Sequence, residues 1–161
     1  MNNGEFYLAD AIEVIEEILD GGGEFRMYPK GTSMLPLIVQ GRDSVVLQKR
    51  INCPEKPLKK HDIAFYRRTN GQFVLHRVMK CQKDGGYTMC GDNQLELEHH
   101  IMPNQVIGYV SKLYREEREY SFGSLRYRLY VLFWTFMPYR RCIRFLKRVM
   151  RFIKRRLLGN K

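Results

Sequence analysis

The stretch DIAFYRRTNGQFVLHRVMKC, residues 62 to 81, decides the reading of the fold. Apolar residues crowd both sides of Asn70-Gly71, and Asn-Gly between two such runs is the strongest short-range signal for a β-hairpin. Asp62 to Arg68 is therefore expected as one strand and Gln72 to Cys81 as its return. Working outward, further short β runs alternate with turn residues. Phe25 to Tyr28 and Ser44 to Gln48 precede the hairpin. Tyr87 to Cys90 follows the turn Asp84-Gly85-Gly86, and Val106 to Tyr114 comes after Gly91-Asp92-Asn93. Cys53 to Lys60, with Pro54 and Pro57, reads as a loop. The expected fold is mostly β: a small antiparallel β domain from about residue 24 to 118, with no internal repeat.

Two helical segments flank that domain. Over residues 7 to 20, Ala11, Ile12, Ile15, Ile18 and Leu19 recur at three-to-four spacing between Glu13, Glu16 and Glu17, and Gly21-Gly22-Gly23 ends the helix. After residue 118 comes a tail in two parts. Leu125 to Tyr139 is aromatic-rich and is expected to be interrupted at Pro138. Arg140 to Leu157 forms a helix with Cys142, Ile143, Phe145, Leu146, Val149, Met150, Phe152, Ile153 and Leu157 on one half. Arg140, Arg141, Arg144, Lys147, Arg148, Arg151, Lys154 and Arg155 lie on the other. The expected organisation is an N-terminal amphipathic helix and Gly linker (1–23), the β domain (24–118) and a basic aromatic tail (119–161).

Charge follows the same division. The 161 residues carry 28 Lys+Arg against 17 Asp+Glu, a net +11. No acid follows Glu119, while 12 basic residues do, so the body is near neutral and the tail holds the basic character. The longest apolar run, Leu129 to Met137, has nine residues, too short for the roughly 30 Å bilayer core. The acidic N-terminus lacks the apolar core of a signal peptide. Cys53, Cys81, Cys90 and Cys142 form no C-x-x-C pair, and free thiols are expected.

Three constellations offer chemistry. In Gly31-Thr32-Ser33-Met34-Leu35-Pro36 a sharp turn would expose a serine hydroxyl beside free backbone N–H groups, as an acyl-transfer nucleophile needs, although an ordinary turn has the same composition. His76 lies on a strand face with Val74 and Val78, a setting that suits either a core histidine or a sheltered, neutral general base. Asp92 in the Gly-Asp-Asn turn and Glu98 are two carboxylates able to hold an imidazole in one tautomer. His99 and His100 are adjacent and show no ligand spacing, and His61 is expected to face solvent.

Taken in order, G-x-S-M-x-P, G-R-D-x-V-x-L, H-D-I-A-F-Y, L-H-R-V, C-G-D-N and Q-V-I-G-Y-V resemble the clan of type I signal peptidases and LexA-type self-cleaving repressors, over about residues 25 to 113. His at position 76, where much of that clan has Lys, is similar to the endoplasmic-reticulum type that bacteria also carry. The resemblance implies a mostly β fold of the signal peptidase/LexA C-terminal type, with Ser33 as nucleophile and His76 as general base. Asp92 ranks first for turn architecture and support, and Glu98, standing where the family usually has Asp, is the rival orienter of His76. Gly31, Thr32 and Met34 fall at the oxyanion and substrate-binding positions. Gly31 stands where many signal peptidases have a serine whose hydroxyl helps bind the oxyanion.

These readings lead to one expectation: a serine endopeptidase that clips a leader or signal segment of a peptide or protein substrate at a membrane surface. It would use no metal and no other cofactor. The tail, residues 125–158, is expected to lie in the interface of an anionic membrane on the cytoplasmic face, its aromatics at headgroup level. No nucleic-acid partner is expected, because so broad an apolar half is not needed for binding phosphates. A second reading is a catalytically weak or inactive adaptor that keeps the peptidase fold and docks partners at the membrane. A LexA-type repressor is a poorer third, since the 24 residues ahead of the β domain are too few for a helix-turn-helix module.

Overall fold

A computed structural model describes residues 3–50 and 58–158. The chain forms two compact units, Met1–Phe122 and Gly123–Lys161. The first unit opens with helix α1 (Asn3–Asp20), longer than its periodic segment. Ile12, Ile15 and Leu19 are buried, while Ile18 turns partly outward. Hydrogen bonds from Gly22 N to Leu19 O and from Gly23 N to Ile18 O close the helix, the pairing of a Schellman cap.

Eight strands among the described residues make one antiparallel sheet. They are β1 (Phe25–Met27), β2 (Asp43–Gln48), β3 (Ile63–Arg67), β4 (Phe73–Cys81), β5 (Tyr87–Cys90), β6 (Glu98–Ile101), β7 (Val106–Arg115) and β8 (Arg118–Tyr120). Their spatial order is β1-β2-β7-β3-β4-β5-β6, with β8 paired to β7. The mostly β, antiparallel fold expected from the sequence is the one observed. The expectation lacked β6 and β8, which are short and rich in charged residues, so they carry no apolar alternation. Cys53, Pro54, Pro57 and most of the loop they suggested lie outside the described residues.

The hairpin differs from its expected form by one residue. Arg68 N donates to Gln72 O, and Gly71 N donates to Arg68 O, so the loop is Thr69-Asn70-Gly71. Gly71 has φ +85°, the left-handed conformation that ends a three-residue loop. The resulting register pairs Ala64 with His76 and Tyr66 with Val74. Directly opposed residues share a face, so Tyr66 and His76 lie on the same one. That face carries the core: Ala64, Tyr66, Val78, Tyr87, Met89 and Ile101 are buried together with Leu58 and Val106. The opposite face of the hairpin bears Phe65 stacked on Phe73, ring centroids 5.9 Å apart.

The second unit consists of α2 (Leu125–Trp134), capped by the Ser124 hydroxyl accepting from Tyr127 N, and α3 (Met137–Leu158). Pro138 does not interrupt a helix here. It sits in the first turn of α3, where a missing N–H costs nothing, and the break falls earlier, at Thr135-Phe136. On α3, Phe145, Leu146, Met150 and Ile153 are exposed, as are Arg141, Arg148 and Arg156. Arg140, expected on the cationic half, is instead buried, its Nε donating to the Trp134 carbonyl. The side chains of Ile143, Arg144, Lys147, Arg151, Phe152, Lys154, Arg155 and Leu157 lie outside the described residues. No described helix is long and apolar enough to cross a membrane.

Candidate active site

His76 is almost wholly buried, at 1% exposure, in the middle of β4. Its Nδ1 lies 2.9 Å from Glu98 Oε1. The sheet explains why. Val78 opposes Met89, and Met89 opposes Glu98, so Glu98 rises from the same face as Val78 and, two residues back, His76. The same carboxylate accepts from Tyr66 Oη at 2.9 Å and from Arg68 Nε at 2.8 Å and Nη2 at 2.5 Å. Tyr66 Oη is also 3.2 Å from His76 Nδ1. With the tyrosine proton given to Glu98, the network assigns the imidazole proton to Nδ1 and leaves Nε2 as the basic atom.

The electrostatics agree with that assignment. Burial pushes the His76 imidazole below its ordinary value of 6.5. The Glu98 charge opposes this, and Arg68 adds to the lowering, so the ring is neutral near pH 7. Burial alone would raise Glu98, but hydrogen bonds from Arg68 and Tyr66 and the charge of its neighbours hold it below the usual carboxylate range. Burial, then Glu98, pushes the Tyr66 phenol far up, so it stays a donor.

Asp92, ranked first for turn architecture and support, binds an arginine. It accepts both arms of the Arg77 guanidinium, at 2.8 and 2.7 Å, and both side chains are fully buried. Arg77 also donates to the His61 carbonyl at 2.9 Å. His61, expected to face solvent, is half-buried with φ +76°, and its Nδ1 is buried without a hydrogen-bond partner among the described residues. Alternation along β4 separates the two pairs: His76 meets Glu98 on one face while Arg77 meets Asp92 on the other.

The turn after β5 ties the serine loop to this region. Asn93 N donates to Ser33 O at 2.7 Å, and Asn93 Nδ2 donates to Thr32 O at 3.1 Å. Carried one step past the pair Arg77–Cys90, the β4–β5 register sets Gly91 beside His76. A Cβ at Gly91 would stand 2.7 Å from Ser33 O, so this close approach needs glycine. The Ser33 hydroxyl makes no hydrogen bond among the described residues; the serine and the imidazole are neighbours in the fold, and their side chains are not joined. Gly31, with φ +92°, gives its N–H to Gln40 Oε1 at 2.6 Å. The N–H groups of Thr32, Ser33 and Met34 have no acceptor among the described residues, which leaves a short run of donors at the loop. The Leu35–Pro36 peptide bond is cis.

Beside the loop lies a cavity of about 360 Å³ lined by residues that include Ser33, Met34, Phe65, Val74 and Leu75. Met34 is buried in its wall. Sequence reasoning missed Tyr66, Arg68, Arg77 and Asn93. Arg77 and Asn93 stand inside the quoted motifs L-H-R-V and C-G-D-N, but only strand pairing gives them partners. Tyr66 likewise ends the quoted motif H-D-I-A-F-Y, while Arg68 had no signal beyond strand composition. Cys81, Cys90 and Cys142 are free thiols. Comparison with family models, curated proteins and solved structures finds no match in any of the three. The class that fold and site define is thus a mostly β domain with a buried, carboxylate-held histidine next to a serine loop.

Proposed function

We propose that this chain is a serine endopeptidase that clips a leader or signal segment at a membrane surface. The observation that carries the reading is the buried neutral imidazole held on Glu98, in the strand step beside the glycine that packs on Ser33. Ser33 Oγ attacks the scissile carbonyl carbon while His76 Nε2 takes the hydroxyl proton. Glu98 keeps Nδ1 protonated and balances the imidazolium that forms. The N–H of Ser33, with its neighbours in the loop, donates to the developing oxyanion. Collapse of the tetrahedral intermediate breaks the C–N bond, and the departing amine takes the proton from Nε2. Water, deprotonated by the same nitrogen, then hydrolyses the acyl-enzyme. Substrate binding must bring the Ser33 hydroxyl onto Nε2, a tightening that enzymes without ligand often await.

The second unit supplies the membrane part of the reading. Exposed Phe145, Leu146, Met150 and Ile153 beside exposed arginines suit a helix lying in the interface of an anionic bilayer. A second reading, a membrane adaptor without turnover, is favoured by the unbonded Ser33 hydroxyl and by Gly31, which brings no hydroxyl and has its N–H bound to Gln40.

A serine-directed fluorophosphonate separates them. Wild type, Ser33→Ala and His76→Ala are labelled at pH 8 and mapped by mass spectrometry, and the same proteins are given candidate leader peptides. Labelling at Ser33 in wild type alone, with cleavage to match, is expected. Equal behaviour of all three proteins overturns the peptidase reading in favour of the adaptor.

A further inference from the structure

The cavity beside Ser33 has a size and lining that define what it holds. Its volume is about 360 Å³. A cavity of about 150 Å³ already admits benzene, so a methyl group would leave most of this space empty or wet. Its apolar walls are Met34, Ile38, Phe65, Phe73 and Leu75, with Phe65 stacked on Phe73. Met34, Ile38, Phe65 and Leu75 are buried, and the exposed residues Tyr28, Lys30 and Gly31 form its mouth.

The apolar floor disfavours a charged occupant. Among the described residues the one charged side chain there is Lys30, exposed at the mouth, where it repels a cationic guest, and the floor offers no partner for a buried charge. Tyr28 Oη is already directed to Glu117. Ser33 sits on the wall, so a chain whose carbonyl reaches Ser33 lays an adjacent side chain into the cavity.

We infer that this cavity is a specificity pocket for one bulky apolar side chain, aromatic or branched aliphatic, of the segment presented to Ser33. The inference deepens the peptidase reading and rests on it only for the role of the serine. Small side chains are accepted poorly, because they leave Leu75 and Phe65 uncovered.

The test uses the full chain and three probes: the N-acetyl N′-methylamides of alanine, leucine and phenylalanine, titrated by NMR. The leucine and phenylalanine amides are expected to bind at least tenfold more tightly than the alanine amide, with the largest shifts at Met34, Phe65 and Leu75. Leu75→Trp, on the face of Phe65 and Phe73, fills the space and should remove that preference. Equal binding of the three amides to wild type, or shifts that fall away from the cavity, overturns the inference without reference to any variant. The p-nitrophenyl esters of the same acetyl amino acids give the second arm. Amide preference without acylation of Ser33 sinks the peptidase reading and keeps the pocket. Acylation at one rate for all three esters, with no amide preference, does the reverse.

Discussion

Replacing Glu98 with glutamine tests the centre of the site without changing its shape. The carboxylate takes hydrogen bonds from Arg68 at 2.8 and 2.5 Å, from Tyr66 at 2.9 Å, and lies 2.9 Å from His76 Nδ1. A hydrogen bond to a charged group contributes about 1.5–3 kcal/mol, against about 1 kcal/mol for a neutral one. Loss of charge at four such contacts would cost about 4 kcal/mol if all were dry. Arg68 and Glu98 are 29% and 20% exposed, so water screens part of it, and about 2 kcal/mol is expected. Urea unfolding at pH 7.5 reads this as a midpoint about 1 M lower, given a slope of roughly 1–3 kcal/mol/M. The difference should shrink as pH falls below the ordinary carboxylate value of 4.5 and disappear once wild-type Glu98 has lost its own charge. Imidazole NMR provides an independent readout. Without the carboxylate, the His76 titration should move further down and the Nδ1–H tautomer should lose its majority. Unchanged stability together with an unchanged tautomer would refute the network described above.

The remaining predictions concern other parts of the molecule. Asp92→Asn leaves the fully buried Arg77 without its charge partner and should destabilise the protein by about 3–5 kcal/mol, measured by urea unfolding; a loss under 1 kcal/mol would mean that the pair is not buried in solution. Gly91→Ala places a Cβ 2.7 Å from Ser33 O and should displace the serine loop; fluorophosphonate labelling should fall at least tenfold while circular dichroism stays native, and full labelling counts against the loop's dependence on this contact. His76 is buried neutral with a depressed pKa, so above about pH 6.5 its contribution to stability is complete. As pH falls from there through the folded-state value, the unfolded chain takes up a proton that the folded one resists, and the melting temperature should drop; a flat profile between pH 7 and 5.5 contradicts this. Finally, the full chain should float with anionic liposomes at low salt and dissociate as salt rises, whereas a chain ending at residue 122 should not float; equal flotation on neutral lipid would remove the electrostatic half of the membrane proposal.

Much was legible before any coordinates. The alternation in residues 62–81 and the Asn-Gly signal specify a hairpin, because apolar residues bounded by turn formers have few other ways to be buried. The three-to-four spacing of Ile12, Ile15 and Leu19 specifies the packed side of α1, and the block pattern after Arg140 specifies a helix with a strong charge asymmetry. What local pattern lacks is register. Asn70-Gly71 as a two-residue loop would oppose His76 to Phe65, on the face away from Tyr66. The three-residue loop opposes it to Ala64 instead.

The candidate site divides along the same line. Ser33, His76, Asp92 and Glu98 were each visible as residues able to do chemistry, since hydroxyl, imidazole and carboxylate groups announce themselves by type. Their pairing was not visible. Two carboxylates six residues apart compete on paper for one imidazole. Strand alternation gives Asp92 to Arg77 and Glu98 to His76, because neighbouring side chains on β4 leave the sheet on opposite sides. Composition and periodicity are properties of the chain and fix its elements. Partnership depends on which faces the strands present to one another, and that is decided only when the sheet closes around its core.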